Sequence, residues 1–513
     1  MSKLGINPHH PHPITNENLL SRKDLAKNSL INLAGFALPL TVGLITIPLI
    51  VRGFGLERFG LLTLAWAVVG YFSLFDFGIG RAITQSIAER LDKSPAEEVA
   101  RLAWTGLLMM AVFALIGAIV IASLTPWFVS SVLNVPKPLR DEALWAFLML
   151  AMAIPAVVLS AGFSGVLTAI RRFDLINALR IPMGMTIFLV PLAILPYSKS
   201  IAFVCAGLMS IRILFLVLYA VACFHAFPPL RANVGIERSE IGRLLTFGGW
   251  MTVTNIIGPF MMYMDRFVIG ATMSIAAVSY YVTPYEMVTR ILVIPAAIVA
   301  VLFPAFAASK ESGLSHAATL YSLGGRAILG MLAPVVLVLV VFAREGMYIW
   351  LDSDFSQKSA PVLQWLAIGV YLNSYAQVPT AFIQGIGRAD ITAKLHLWEL
   401  PAYITLVFWL LKTQGIIGVA IAWVLRACLD AVLLTLIVHW LVKDISTASK
   451  KIYPMLVAPL GLFAIGMALN EVTGKVVFIS LAFLILGIVS YFFAITPEEK
   501  NAIQKSARRF LRA

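Results

Sequence analysis

Stretches of about 20 mostly apolar residues follow one another almost from end to end of the chain, and that is the length an α-helix needs to cross roughly 30 Å of hydrocarbon. Within a bilayer no water is on hand to satisfy backbone N–H and C=O groups, so only helices and closed barrels span it. A barrel needs strands of about 10 residues that alternate polar and apolar, whereas the runs here are continuous. They predict an all-α, polytopic membrane protein. Composition agrees, with 60% hydrophobic and 13% charged residues and a mean hydropathy of +0.89, where a soluble domain carries about 25% charged residues. A soluble enzyme is excluded. The formal charge of +13 has no soluble face to occupy and no nucleic-acid motif beside it. It therefore reads as the loop bias of a membrane protein, with the lipid bilayer rather than nucleic acid as partner.

Bounded by Pro, Gly and charge, fourteen spans are predicted, at approximately 28–51, 59–84, 102–123, 143–170, 176–196, 201–223, 244–269, 277–306, 322–343, 360–386, 392–411, 415–441, 453–470 and 476–496. An even count puts both ends on one side. On that assignment about 25 of the Lys and Arg residues fall in loops on the side of the termini and about 9 in the opposite loops, so both termini are expected in the cytoplasm. The expected divisions are a tail at 1–27, spans 1 to 6 at 28–224, a linker at 225–243, spans 7 to 12 at 244–442, a final helix pair at 443–496 and a basic tail at 497–513. The first tail holds His9, His10 and His12 among prolines and has no apolar signal segment, so an attached, unstructured tail is favoured over a metal site. Cys205, Cys223 and Cys428 lie in apolar runs without CxxC or Cys/His spacing, which supports neither a disulfide framework nor a zinc site. No cofactor is implied. The loops are too short to build an extramembrane catalytic domain, so an enzyme such as a polymerase or ligase is not expected.

An internal repeat is visible when Leu133 to Leu195 is laid on Ile349 to Leu411 without a gap. Leu150/Leu366, Ala151/Ala367, Ile170/Ile386, Arg172/Arg388, Asp174/Asp390 and Leu179/Leu395 coincide. The RxD motif falls both times in the short loop after a span of matching rank, the fourth and the tenth. This predicts two parallel six-span lobes followed by an extra pair, and repeats of this kind are how many transporters build two alternating states. The RxD residues themselves read first as a helix cap and as topology-setting charge.

Ionisable residues inside spans are costly and face a cavity or a partner. At 1.5 Å per residue, Arg212 lies roughly 16 Å into its span, Glu286 and Arg290 roughly 14 and 20 Å, Arg426 roughly 16 Å and Glu399 roughly 10 Å. Three arginines against two glutamates describe a cationic interior suited to an anion such as a pyrophosphate, because guanidinium stays charged and binds phosphate oxygens in a bidentate fork. Glu286 with Arg290 and Arg426 with Asp430 are also spaced i, i+4, which allows each pair to neutralise itself. Arg212 has no acid in its own span. Tyr285 beside Glu286, and Gln377 in the YLNSYAQVPTAFIQG run, are candidate contacts for sugar; helix-to-helix hydrogen bonding is the alternative. Asp76 and Arg81 in FDFGIGRA, Arg52 at the end of span 1, and Asp265 with Arg266 in span 7 are candidate gate or coupling residues, with interface-seeking charge as the plainer alternative.

The segment KNSLINLAGFALPLTVGLITIPLIVRGFGLERFGLLTLAWAVVGYFSLFDFGIGRA, together with MDRFVIG and MYIWLDSDF, resembles the bacterial polysaccharide transporters, the Wzx-type O-antigen and exopolysaccharide flippases of the multidrug/oligosaccharidyl-lipid/polysaccharide exporter superfamily. The resemblance covers nearly the whole chain and implies a MATE-like two-lobed bundle around a central cavity, with an added helix pair as in lipid II flippases. It implies movement of an undecaprenyl-pyrophosphate-linked oligosaccharide across the bacterial inner membrane by alternating access, coupled to an ion gradient. Polysaccharide polymerase and chain-length components of the same assembly are expected partners. Chosen by depth and charge rather than by the resemblance, Arg212, Arg290 and Arg426 are expected to meet the pyrophosphate, and Glu286, Glu399 or Asp76, by location, to carry the coupling ion. The rival on the same fold is a MATE-type cation-coupled multidrug exporter, whose cationic substrates would prefer an acidic cavity. A scaffold without transport is the third reading.

Overall fold

The computed structural model describes residues 38–39, 41–71, 79–91, 93–312, 314–442, 445 and 449–493. Among these the chain is helical throughout, with no strand. The helices are α1 Thr41–Phe54, α2 Leu56–Tyr71, α3 Ile79–Arg90, α4 Ala96–Trp127, α5 Arg140–Ala169, α6 Phe173–Ile194, α7 Ile201–Ala226, the short α8 Pro229–Ala232 and α9 Arg238–Thr272. There follow α10 Ile275–Thr289, α11 Val293–Ser312, α12 Leu314–Val341, α13 Ala343–Trp350, α14 Ser353–Lys358, α15 Ala360–Gly385, α16 Ala389–Leu441, α17 Ile452–Ala468 and α18 Val472–Phe493. Eight helical stretches are long and apolar enough to cross a membrane, and Thr41–Phe54 and Ile452–Ala468 are shorter apolar helices. The chain is a multi-pass membrane protein.

Two of the predicted spans, 392–411 and 415–441, are joined in α16. Gly415 (φ +63°) breaks the helix there, and the chain folds back so tightly that a Cβ on Gly418 would lie 2.1 Å from the Leu410 carbonyl oxygen. Alternation of the helices then places the RxD loops on one face of the bundle, called here the RxD face, and the 133–139, 343–359 and 412–416 connections on the other, the far face.

The repeat seen in the sequence holds bond for bond at the ends of α5 and α15. Arg171 N donates to Thr168 O and Arg172 N to Leu167 O; 216 residues on, Gly387 N donates to Gln384 O and Arg388 N to Ile383 O. Both helices close with a left-handed residue, Arg171 (φ +60°) and Gly387 (φ +84°), the αL ending that satisfies orphan carbonyls. Each is followed by an arginine that holds the aspartate two residues on, Arg172 to Asp174 at 2.8 Å and Arg388 to Asp390 at 3.0 Å. These bonds raise both arginines above their ordinary pKa. The motif is a loop clasp repeated once in each half of the chain.

Helices before and after Arg238 meet along a seam at the far face. Arg52 donates to Leu351 O (2.9 Å), Trp350 Nε1 to Leu44 O (2.7 Å), Asn134 Nδ2 to Ala271 O (2.7 Å) and Ser279 Oγ to Leu56 O (2.7 Å). Side-chain donors on backbone carbonyls fix the approach of the two halves without requiring any buried charge. Toward the RxD face, Arg90 of α3 pairs with Glu240 of α9 at 2.7 Å.

Candidate functional site

Sequence dictates where Arg290 stands. Ser274 caps α10, its Oγ accepting from Ala277 N at 3.1 Å, and so turns the chain sharply after α9. Five residues after Arg290, Pro295 has no N–H to return to the Ile291 carbonyl, and its ring crowds that carbonyl. The helix yields as a 3-10 turn at Arg290–Leu292, the kind of mid-helix tightening common at functional positions.

The α9/α10 hairpin brings Arg266 against Glu286, so that the glutamate is shared by two arginines. Arg266 Nη2 donates to Oε1 at 2.9 Å and Arg290 Nη2 to Oε2 at 2.7 Å. The arginines differ in surroundings. The Arg266 side chain is 1% exposed, with its guanidinium 5.0 Å from the centres of the Tyr263 and Tyr285 rings. That of Arg290 is 36% exposed, 5.7 Å from the Phe188 ring of α6. Asp265, buried beside them, accepts from the Tyr281 hydroxyl and from Arg266 N. Arg290 and Glu286 are the charged residues in the lining of a cavity of about 310 Å³, whose walls are otherwise apolar: Leu44 and Ile47 of α1, Phe188, Val335, Leu339 and Trp350.

A second cluster stands on the α16 hairpin. His396, Glu399 and Tyr403 come from the outgoing helix, and Arg426 and Asp430 from the returning one. Arg426 lies 3.4 Å from Asp430, His396 lies 3.6 Å from the same carboxylate, and Arg426 stacks 5.5 Å over the Tyr403 ring. Both Glu399 oxygens and the Tyr403 hydroxyl are buried and, among the described residues, without a hydrogen-bond partner. The ligand atoms of His396, Glu399 and Asp430 lie within 4.8 Å of one another, a donor set able to hold a cation.

The other sequence-predicted residues lie apart from both clusters. Arg212, half-buried on α7, faces a small cleft lined by Val69, Leu150, Val157 and Ile187, and among the described residues no ion pair reaches it. Ile187 and Phe188 are consecutive on α6, so the Arg212 cleft and the Arg290 cavity lie against neighbouring residues of that helix. Gln377 lines a separate cavity of about 460 Å³ with Thr380 and Gln384 of α15 and Val299 and Phe303 of α11. Tyr285 is buried and supports Arg266. Arg52 is part of the far-face seam, and Arg81 is exposed on α3. Asp265 and Arg266, expected near a span end, are both fully buried beneath the cavity. Asp76 lies outside the described residues.

Among the described residues the deep charges are uneven in place: Arg266 and Arg290 gather around Glu286 and Asp265, Arg426 and His396 around Asp430 with Glu399 beside them, and Arg212 has no ion pair. Sequence reading missed Tyr263, His396 and Tyr403. His396 and Tyr403 sit at i−3 and i+4 from Glu399, one face of a helix, and that spacing was the available signal.

The profile of the polysaccharide biosynthesis protein family matches residues 25–310. A Shigella flexneri protein named "Putative O-antigen transporter" is 30% identical over 416 residues, which is 80% of this chain and 96% of that protein. Among solved structures, an inward-facing multidrug resistance MATE family transporter of the MOP superfamily superposes with a TM-score of 0.67, at 16% identity over 81% of this chain and 95% of its own. The lipid II flippase MurJ in an inward closed conformation gives 0.66, at 14% identity over 91% and 99%. Family profile, curated relative and architecture agree: this chain belongs to the polysaccharide biosynthesis protein family, built on the fold of the MATE and MurJ transporters.

Proposed function

We propose that the chain is a flippase that carries an undecaprenyl-pyrophosphate-linked oligosaccharide, an O-antigen or exopolysaccharide repeat unit, across the bacterial inner membrane by alternating access. The observation that carries this reading is Arg290, a partly exposed cation that, with its partner Glu286, supplies the charge in an otherwise apolar cavity at the seam between the two halves. Such a site matches an amphiphile whose anionic head is joined to a hydrocarbon tail, since guanidinium holds phosphate oxygens and the apolar wall accepts the chain. The O-antigen transporter relative and the lipid II flippase neighbour support the same substrate class.

In this account the halves are two lobes, 28–224 and 244–442, with the linker 225–243 between them and the helix pair 443–496 added. Both tails and the RxD loops face the cytoplasm. The hydrogen bonds at the far face hold the periplasmic side shut, and the substrate enters from the RxD side. The pyrophosphate is taken by Arg290, with Arg212 and Arg426 along the path, and the sugars by Gln377 and its neighbours. Glu399, with an unpartnered buried carboxylate, takes the coupling ion; Glu286 and Asp76 are the further candidates. Polymerase and chain-length components receive the product.

The test is reconstitution in proteoliposomes with a fluorescent polyprenyl-pyrophosphate oligosaccharide. Flipping that depends on an ion gradient and is competed by polyprenyl pyrophosphate supports the reading. Transport of cationic dyes without movement of the lipid-linked sugar overturns it in favour of the multidrug exporter.

A further inference from the structure

Glu286 is bonded to two arginines of which a ligand in the cavity can reach one. Arg290 lines the cavity, while Arg266 is sealed beneath it between Tyr263 and Tyr285, and each holds its own oxygen of the carboxylate. A phosphate that binds Arg290 competes with Glu286 for its positive charge, since Arg290 holds that carboxylate through Nη2. If Arg290 were the sole partner, that step would leave a buried carboxylate uncompensated and beside an incoming anion, an arrangement that is strongly unfavourable at low dielectric. Arg266 prevents it. Its bond to Glu286 does not depend on Arg290, because the two arginines hold different oxygens of the carboxylate.

We propose that Arg266 is a positioning residue for substrate capture: the fixed counter-charge that keeps Glu286 neutralised while Arg290 moves from Glu286 to the phosphate. The inference rests on the reading that the substrate carries a polyprenyl-linked phosphate. It differs from the gate or coupling role expected of Arg266 from sequence, since the buried side chain is bonded to Glu286. The tyrosines supply the rigidity: a guanidinium held between two aromatic faces loses little further freedom when its partner carboxylate changes bonds.

The experiment measures binding of farnesyl pyrophosphate, a short polyprenyl pyrophosphate, to the purified full chain in nanodiscs, with farnesol as the uncharged control. Arg266→Gln leaves Arg290 as the sole partner of Glu286 and weakens binding by about tenfold or more. Glu286→Gln frees Arg290 and tightens binding, and the double variant Arg266→Gln/Glu286→Gln returns affinity to the wild-type level or above. Arg266→Lys, which keeps the charge, retains most of the affinity. A purely structural Arg266 predicts that thermal stability falls in Arg266→Gln and recovers in the double variant in step with affinity, so unfolding is measured alongside, and affinity lost at unchanged stability marks the positioning role. If wild type binds farnesyl pyrophosphate no better than farnesol, the anionic-substrate reading itself falls. If wild type binds but Arg266→Gln matches it, or the double variant fails to recover, the positioning role falls and the substrate reading stands. Should Arg266→Gln not yield monodisperse protein, Arg266→Lys decides: the wild-type preference for farnesyl pyrophosphate over farnesol is expected to persist, and its loss in a stably folded Lys variant overturns the positioning role.

Discussion

Arg171 holds a left-handed backbone, φ +60°, at the position where the second half of the chain has Gly387 at φ +84°. An L-residue in that conformation costs about 1 kcal/mol where glycine costs nothing. Gly387→Ala is expected to lower unfolding stability in detergent by about 1 kcal/mol, and Arg171→Gly to leave it unchanged or raise it, both read from thermal denaturation. The residues at this scale were unevenly legible. Depth and charge picked out Glu286, Arg290, Arg426 and Glu399, since an ionisable group in an apolar span announces itself. Direction was not legible. The roles of Arg266 and Tyr285 depend on how α9 turns relative to α10, and a sequence gives no rotation of one helix about another.

At the scale of elements, a single proline shapes the site. Pro295→Ala restores the backbone donor that α10 and α11 lack between them and allows one continuous helix through Arg290–Leu292. The expected result is normal membrane abundance with flipping reduced by about tenfold, because Arg290 is carried out of the cavity. The far-face seam offers a second prediction. A Cβ on Gly60 of α2 would stand 2.1 Å from the Ile275 carbonyl oxygen at the start of α10, so Gly60→Val forces these helices apart. In a background where Cys205, Cys223 and Cys428 are replaced, Ser279→Cys is buried against Leu56 O and resists a membrane-impermeant thiol reagent. With Gly60→Val added it becomes labelled from outside the cell; continued protection would show that the seam does not depend on this contact. That the chain is built of apolar helices could be read from apolar length, and the break at Gly415 from its glycine, while the structure gives eight helical stretches of spanning length among the described residues rather than the fourteen expected. The pairing of α2 with α10 could not be read, because backbone-to-backbone contact at a glycine leaves no pattern in hydropathy.

For the whole molecule, the repeat was legible in six coincident residues and is present in the structure as the same capped helix end and the same Arg–Asp clasp at 172–174 and 388–390. The balance of charge was not legible. Counting deep ionisable groups suggested an excess of arginine, whereas the fold gathers Asp265 and Glu286 with Arg266 and Arg290, and Glu399 and Asp430 with Arg426 and His396, and leaves Arg212 without an ion pair among the described residues. The most direct test is the appearance of lipid-linked glycan in the periplasmic leaflet of cells that lack the native copy, complemented with wild type, Arg212→Ala, Arg290→Ala or Arg426→Ala, with membrane abundance measured alongside. The account predicts that wild type delivers the glycan while Arg290→Ala, at normal abundance, leaves it on the cytoplasmic leaflet. Full delivery by all three variants at normal abundance would contradict a cationic path for the substrate.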